Sequence, residues 1–150
     1  MAIRQFEYEY AFLSNRYPTT IEIDGRTYGS AEAAYWALLY PEDADMISKM
    51  TALEAIHYGN DRYMQAIMDE RAMVPTPGQR LEAMERVLRV KFSKPSLRKM
   101  LIGTDPQTLI NMTVDDTFWG KITIPTERGC LCRGDNHLGK LLMKIRRECV

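Results

Sequence analysis

The sequence has few cysteines and histidines, no excess charge of either sign and no long apolar run. Three cysteines are an odd number in 150 residues, which disfavours a disulfide framework and predicts free thiols in a reducing compartment. Twenty basic residues balance twenty acidic ones, so the chain has no overall field for polyanions and any nucleic-acid contact must be local. No apolar run reaches the ~18 residues that span a bilayer. We therefore expect a soluble, cytoplasmic protein without a membrane partner.

The chain is long enough for one domain with a substantial core. It shows neither an internal repeat nor a low-complexity segment, and its proline-rich interruption at 74–78 is too short to separate two domains. We predict a single domain over residues 1–150.

Two segments near the N-terminus have the patterns of β structure. Phe6, Tyr8 and Tyr10 alternate with glutamates, which predicts a half-buried strand. Ile21 and Ile23 also alternate, and the Asp-Gly pair at 24–25 that follows predicts a type I′ hairpin.

The rest of the chain has helical signals. Ser30 caps a helix that runs until Pro41, and a capping box at 51–54 begins a second helix for which Gly59 offers an end. Three more helices are indicated: the longest after Thr76-Pro77, a short one after Asp105-Pro106, and an amphipathic one over 138–145. The predicted fold class is mainly α with a small N-terminal β-hairpin.

Three motifs of familiar chemistry are incomplete. Residues 134–140 have the glycine and lysine spacing of a phosphate-binding P-loop, but Leu141 stands where a Ser or Thr must reach the metal. Gly134 and Gly139 therefore favour turns and close backbone approach at the start of the last helix. Cys130, Cys132 and His137 are a fragment of a metal site without a second dithiol pair. We therefore expect no metal and no cofactor. Neither histidine lies in a nucleophile motif, so we also expect no acyl-enzyme intermediate.

Two acidic positions are candidates for chemistry. Asp115 and Asp116 precede Phe118, Trp119 and Gly120, a cluster that can stack a base beside an acid. The alternative is that an aspartate caps a turn while the rings pack in the core.

Glu32 is the second candidate, in the first turn of a helix. There an acid is often simply favourable to the helix dipole. Its small neighbours Ala31, Ala33 and Ala34 leave room for a ligand to approach.

Taken together, several segments resemble the NADAR (YbiA-like) family in their residue motifs, in the order of these motifs and in their spacing. They are FLSNRYP at 12–18, IEIDGRTYGSAEAAYWA at 21–37, LRVKF at 88–92, Thr104 with Leu109, DDTFWG at 115–120 and GDNHLGKLLMKIR at 134–146. The resemblance implies a compact, largely helical fold and cleavage of N-glycosidic bonds. Members of the family hydrolyse phosphorylated ribosyl-amine intermediates of riboflavin synthesis or remove ADP-ribose from guanine bases of nucleic acid.

By position in these motifs, the resemblance makes Glu32 the principal catalytic acid and Asp116 the second. Glu32 is expected to activate water and stabilise the sugar cation, and Asp116 to hold ribose hydroxyls or share the acid/base work. The resemblance also predicts a set of substrate-binding residues: Ser14, Asn15, Tyr35, Phe118, Trp119, Gly120, Asn136 and Gly139.

The chain departs from the family's pattern beside Glu32 and in one loop. Ala33 replaces the usual His, Trp36 the usual Gln, no Lys stands at 38–40, and the tryptophan that commonly precedes the long helix is missing. Residues 121–132 replace a shorter glycine-rich loop. Because both acids are present, we expect these changes to alter which substrate is bound more than which type of bond is cleaved.

Three functions follow as hypotheses. The first is removal of ADP-ribose from guanine in DNA or RNA, and the second is an N-glycosidase of phosphorylated riboflavin precursors, which needs no nucleic-acid groove. The third is a non-catalytic module that binds ADP-ribose or NAD, motivated by the missing His and Gln. The sequence leaves the oligomeric state open.

Overall fold

The computed structural model describes residues 1–149, which are mainly helical, as predicted, and also contain three two-stranded sheets. The helices are α1 (Ala31–Leu39), α2 (Ala44–Ile47), α3 (Ala52–Met68), α4 (Pro77–Lys91), α5 (Pro95–Ile102) and α6 (His137–Glu148). The strands are β1 (Ala2–Ile3), β2 (Pro18–Ile23), β3 (Arg26–Ser30), β4 (Thr108–Leu109), β5 (Ile122–Thr126) and β6 (Gly129–Arg133). The chain divides into two compact units, Asn15–Ser93 and a second formed by Met1–Ser14 with the chain from Lys94 onwards.

The unit Asn15–Ser93 begins with the predicted hairpin. Strands β2 and β3 pair antiparallel, with Ile23 opposite Arg26. Asp24 and Gly25 both have positive φ, 52° and 78°, which a type I′ turn requires. The hairpin prediction is therefore confirmed.

Helix α1 is the central element of this unit and packs against α3 and α4. Its N-cap is Ser30, whose hydroxyl accepts a 3.1 Å hydrogen bond from the backbone N–H of Ala33. Ala31, Ala33 and Ala34 are completely buried, because small side chains let neighbouring helices approach α1 closely.

Helix α3 does not end at Gly59, and this prediction is wrong. The predicted capping box at Thr51 begins α3, and Thr76, predicted as a cap residue, begins α4 as part of a second capping box. However, α3 runs through Gly59 and is two residues longer than α4, 17 against 15. A Cβ at Gly59 would overlap the ring of Trp36, so the glycine serves close helix packing and not helix termination.

In the second unit, the strand predicted over residues 6–10 is also wrong. Residues Tyr8–Leu13 form a 3₁₀ helix, with a 3.0 Å bond from the N–H of Tyr10 to the carbonyl of Glu7. Tyr8 is exposed, whereas Phe12 and Leu13 are buried. Phe6 is also buried and Tyr10 is half-buried, so the alternating aromatic residues do not share one buried face.

The predicted helix after Asp105-Pro106 is a strand instead. Strand β4 pairs parallel to β1, and the N–H of Ile110 donates to the carbonyl of Ile3. Pairing with a strand more than 100 residues earlier in the chain overrides the local cap signal.

Nearby, two residues of the resemblance motifs meet. The guanidinium of buried Arg146 on α6 donates to the hydroxyl of Thr104 (3.1 Å) and the carbonyl of Gln107 (2.8 Å). These bonds tie the predicted amphipathic helix α6 to the segment before β4.

The segment 121–132 is largely a hairpin, β5 with β6, that the sequence reading did not anticipate. Its signals are the alternation of Ile122 and Ile124 and the glycine at 129, whose φ is 125°. Cys130 and Cys132 lie exposed on β6, and both, like Cys149, are free thiols as predicted. Among residues 1–149, every helix is too short or too polar to cross a membrane.

Candidate active site

Glu32 is the second residue of α1 and is half-buried. Its backbone N–H donates a 3.0 Å hydrogen bond to the backbone carbonyl of Asn15, which satisfies one of the donors left open at a helix N-terminus. Its carboxylate oxygen Oε1 accepts a 2.9 Å bond from the indole Nε1 of Trp36, one turn further along. Both the backbone and the carboxylate of Glu32 are therefore held in place.

Asn15 presents an unsatisfied acceptor beside Glu32. The side chain is 7% exposed, and its Nδ2 donates weakly to the sulfur of Met84 at 3.5 Å. Its Oδ1 is buried and has no hydrogen-bond partner among residues 1–149. Because buried carbonyl oxygens are nearly always hydrogen-bonded, Asn15 Oδ1 is suited to accept a hydrogen bond from a ligand's N–H or O–H.

The residues around Glu32 on α1 are core residues. The alanines expected to let a ligand approach are completely buried, so that interpretation is wrong and their small size serves helix packing. Tyr35 is 1% exposed, and its hydroxyl accepts a 3.1 Å bond from Nε of Arg80. Its predicted contact with substrate stays a prediction.

Lys91 is a chemically unusual residue of the same unit that sequence reasoning did not single out. Its side chain is completely buried at the end of α4, and its Nζ lies 5.7 Å from the ring centroid of Tyr17 and 5.2 Å from that of Phe92. Burial lowers the pKa of this ammonium group to about 7, because a low-dielectric environment disfavours its charged form. The available signal was its place on the apolar face of the helix, beside Leu88 and Phe92.

In the second unit, Asp116 organises the turn that carries the two aromatic residues. Its Oδ1 accepts hydrogen bonds from the backbone N–H groups of Phe118 (2.9 Å) and Trp119 (2.8 Å). The hydroxyl of Thr113 accepts from the N–H of Asp116 and donates to its carbonyl. The turn-capping alternative is thus observed for Asp116, and Trp119 is buried as that alternative expected.

The two aromatic residues of this turn form a cluster with His137. Phe118 and Trp119 meet edge to face at 4.8 Å, and the ring of His137 lies 4.6 Å from Phe118. Edge-to-face pairs of this kind fix both rings. Phe118 is half-buried and so retains exposed surface.

Asn136 joins the last helix to the chain that follows β4. Its Oδ1 accepts from the N–H of Asn111 (2.9 Å), and its Nδ2 donates to the carbonyl of Leu109 (3.0 Å). Its φ is 54°. Both ends of this amide therefore carry structural hydrogen bonds.

Three glycines of this unit allow backbones to approach closely. A Cβ at Gly139 would overlap the carbonyl of Leu109, one at Gly134 the carbonyl of Gly120, and one at Gly120 the carbonyl of Asn111. The close-approach roles predicted for Gly134 and Gly139 are confirmed, and Gly134 also has a φ of 141°.

The predicted site residues form two groups, one in each unit. Asn15, Glu32 and Tyr35 lie within Asn15–Ser93. Asp116, Phe118, Trp119, Gly120, Asn136 and Gly139 lie in the second unit, as does Ser14, whose N–H donates to the carbonyl of Ala11. Within residues 1–149 there is no group of three or more His, Cys, Asp or Glu side chains that could hold a metal ion.

Comparison with known proteins identifies relatives of this chain. The N-glycosidase YbiA of Escherichia coli strain K12 is 26% identical over 144 residues, which cover 93% of this chain and 82% of that protein. The NMR structure of E. coli YbiA superposes with a TM-score of 0.72 at 25% identity, over 99% of this chain and 83% of that one. The chloroplastic riboflavin biosynthesis protein PYRR of Arabidopsis thaliana is 37% identical over 70 residues, 46% of this chain but 10% of that protein. The family model of the NADAR domain matches residues 3–149, and the chain therefore belongs to the NADAR domain family.

Proposed function

We propose that this protein is an N-glycosidase that hydrolyses the C–N bond between a ribose and a base, with Glu32 as its principal acid. Two findings support the proposal. YbiA, which aligns with nearly the whole chain, is named an N-glycosidase. Glu32, the family's catalytic glutamate by position, is half-buried and fixed at both backbone and carboxylate.

The observation that carries the proposal is the pairing of Glu32 with Asn15. Cleavage of a ribosyl C–N bond passes through an oxocarbenium-like transition state, which needs a nearby carboxylate and an activated water. Glu32 supplies the carboxylate, removes a proton from the water and stabilises the positive charge on the sugar. Asn15 Oδ1, the unsatisfied buried acceptor joined to it through the backbone, accepts a hydrogen bond from the substrate.

The remaining site residues enter the proposal with the roles that the motifs suggest. Asp116 holds ribose hydroxyls or shares the acid/base work, and Trp119 with Phe118 stacks the base. Since Asp116 Oδ1 already accepts two backbone N–H groups, its second oxygen is assigned the substrate contact. Ser14, Tyr35, Gly120, Asn136 and Gly139 complete the proposed binding set.

For the substrate, we give first place to guanine that carries ADP-ribose within DNA or RNA. The protein then reverses ADP-ribosylation of a base: the water oxygen bonds to the anomeric carbon, the electron pair of the broken C–N bond passes to the guanine nitrogen, which takes up a proton, and free ADP-ribose leaves the restored guanine. A phosphorylated ribosyl-amine precursor of riboflavin is the second candidate. The name of the PYRR relative and the zero net charge of this chain favour it, because a small metabolite needs no basic groove.

Product analysis distinguishes these candidates. Wild type and Glu32→Gln are incubated separately with a guanine-ADP-ribosylated oligonucleotide and with the phosphorylated precursor, and products are separated by chromatography. The proposal expects ADP-ribose from the oligonucleotide with wild type and none with the variant. Ribose 5-phosphate from the precursor alone assigns the second substrate. Tight ADP-ribose binding without turnover of either substrate identifies a binding module and contradicts the proposed function.

A further inference from the structure

Glu32, Trp36 and Tyr40 are four residues apart along α1 and its C-cap, so they follow one another on one face of the helix. The indole N–H of Trp36 donates to Glu32 Oε1 at 2.9 Å. On its other side the indole stacks on Tyr40, with ring centroids 6.2 Å apart and planes inclined by 8°. Trp36 thus links the half-buried acid to a buried aromatic residue.

The indole of Trp36 is itself fixed by packing. It is 5% exposed, and the backbone of α3 lies directly against it at Gly59, where any side chain would overlap the ring. The ring of Tyr35 meets it edge to face, 5.0 Å away at 65°. A ring confined by a helix backbone and two aromatic side chains has one orientation, so its N–H is a donor of fixed direction.

We propose that Trp36 is a positioning residue of the active site, whose indole N–H holds the Glu32 carboxylate in one orientation for reaction at the sugar. This inference rests on the proposed function, because it assigns Trp36 a role only through Glu32. It goes beyond that function by naming a residue that touches neither the substrate nor the reacting atoms.

The chemistry of the indole decides what the contact does. An indole N–H only donates, so it can satisfy a carboxylate oxygen but cannot accept a proton from a protonated one. It therefore favours the ionised form of the Glu32 carboxylate and fixes its orientation through Oε1. A glutamine side chain also donates an N–H, but it carries an acceptor oxygen that can replace the donor when the amide rotates. The indole of Trp36 has no acceptor atom, so it always presents a donor to Glu32.

Four variants test the role of the donor. Trp36→Phe keeps an aromatic ring between Gly59 and Tyr40 without the N–H, whereas Trp36→Gln and Trp36→Met form a pair of similar size in which one member donates. Tyr40→Phe is the control, because the Tyr40 hydroxyl has no hydrogen-bond partner among residues 1–149 and its ring remains. Each variant is first checked for cooperative unfolding, and if Trp36→Phe fails to fold, the Gln and Met pair decides.

Two readouts are measured for each variant: kcat and KM on the substrate that wild type cleaves, and the titration of the Glu32 carboxyl by ¹³C NMR without substrate. We expect Trp36→Phe and Trp36→Met to lower kcat about 10- to 100-fold and leave KM within about twofold. We also expect the Glu32 midpoint to rise by about one pH unit. Trp36→Gln should recover most of the rate, and Tyr40→Phe should match wild type.

A Glu32 midpoint unchanged in Trp36→Phe, or equal rates for the Gln and Met variants, overturns the inference. Full turnover by Glu32→Gln overturns the proposed function instead. The two failures are distinguishable because the titration uses no substrate and reports on the Trp36–Glu32 contact alone.

Discussion

The backbone N–H of Glu32 is hydrogen-bonded to the backbone carbonyl of Asn15 at 3.0 Å. Residues 17 positions apart in the sequence thus meet within the unit Asn15–Ser93. The bond satisfies a donor at the N-terminus of α1 and brings the polar segment before the hairpin to the first turn of the helix. The asparagine and glutamate of two separate motifs are therefore parts of one local structure.

This relationship predicts that the Asn15 side chain matters more for activity than for stability. In Asn15→Ala the backbone bond to Glu32 remains, and the lost Oδ1 has no protein partner among residues 1–149. We expect the free energy of unfolding in urea to change by ~1 kcal/mol or less, while kcat/KM falls about tenfold or more. Asn60→Ala, at an exposed position of α3, is the matched control. A variant that unfolds much more easily but retains full kcat/KM contradicts this role.

Asn136, in contrast, should contribute strongly to stability. Asn136→Ala removes two hydrogen bonds and places alanine at a φ of 54°, so we expect a loss of about 2–4 kcal/mol in the free energy of unfolding. Asn136→Gly removes the same bonds but tolerates the positive φ, and should be the more stable of the two by ~1 kcal/mol. Denaturant unfolding measures the free energy of unfolding of both variants. Equal values would contradict a destabilising effect of the positive φ on alanine at this position.

Gly59 is predicted to tolerate no side chain. In Gly59→Ala the new methyl group overlaps the Trp36 ring, so we expect a net destabilisation of about 1–3 kcal/mol even though alanine favours helix. Gly78→Ala, near the start of α4 and without a close backbone neighbour, should be neutral or stabilising by up to ~1 kcal/mol. Thermal unfolding of the two variants measures the difference, and similar melting temperatures would count against close packing at Gly59.

The burial of Lys91 makes the free energy of unfolding depend on pH. Burial lowers its pKa in the folded protein to about 7, from 10.5. Between these values the unfolded chain binds more protons than the folded one, so the contribution of Lys91 to stability rises with pH from about 7 towards 10. Lys91→Met removes this titration while keeping an apolar chain of similar length. Unfolding free energies of both proteins between pH 6 and 10, roughly the range over which the linkage acts, should show the smaller slope for the variant; parallel curves would exclude the shift.

Local signals predicted the fold where they needed no distant partner. The Asp24-Gly25 turn and the caps at Ser30, Thr51 and Thr76 were all readable, because each depends on residues within a few positions. Two of the errors have non-local causes. Gly59 faces the ring of Trp36, and the segment after Pro106 pairs with the N-terminal strand.

The candidate site was predictable in part. Motif resemblance pointed to Asn15, Glu32 and Asp116, but their hydrogen bonds depend on the three-dimensional structure. The local signal for the complete burial of Lys91 was its place on the apolar face of α4, whereas the bond from Trp36 to Glu32 has none, since a tryptophan one turn from a glutamate suits many environments. Conversely, the structure shows that Asn136 has a structural role which the motif alone did not reveal, whereas the close-approach role of Gly139 was predicted.

The most direct test of the central claim is the single-turnover rate of Glu32→Gln on whichever ribosylated substrate wild type cleaves. Glutamine preserves size and can still accept the Trp36 N–H, so the melting temperature should stay close to that of wild type. We expect the rate to fall by about 10²–10⁴-fold, with no comparable loss in Glu82→Gln, an exposed glutamate of α4. A folded Glu32→Gln protein that cleaves the substrate at the wild-type rate would contradict the assignment of Glu32 as the catalytic carboxylate.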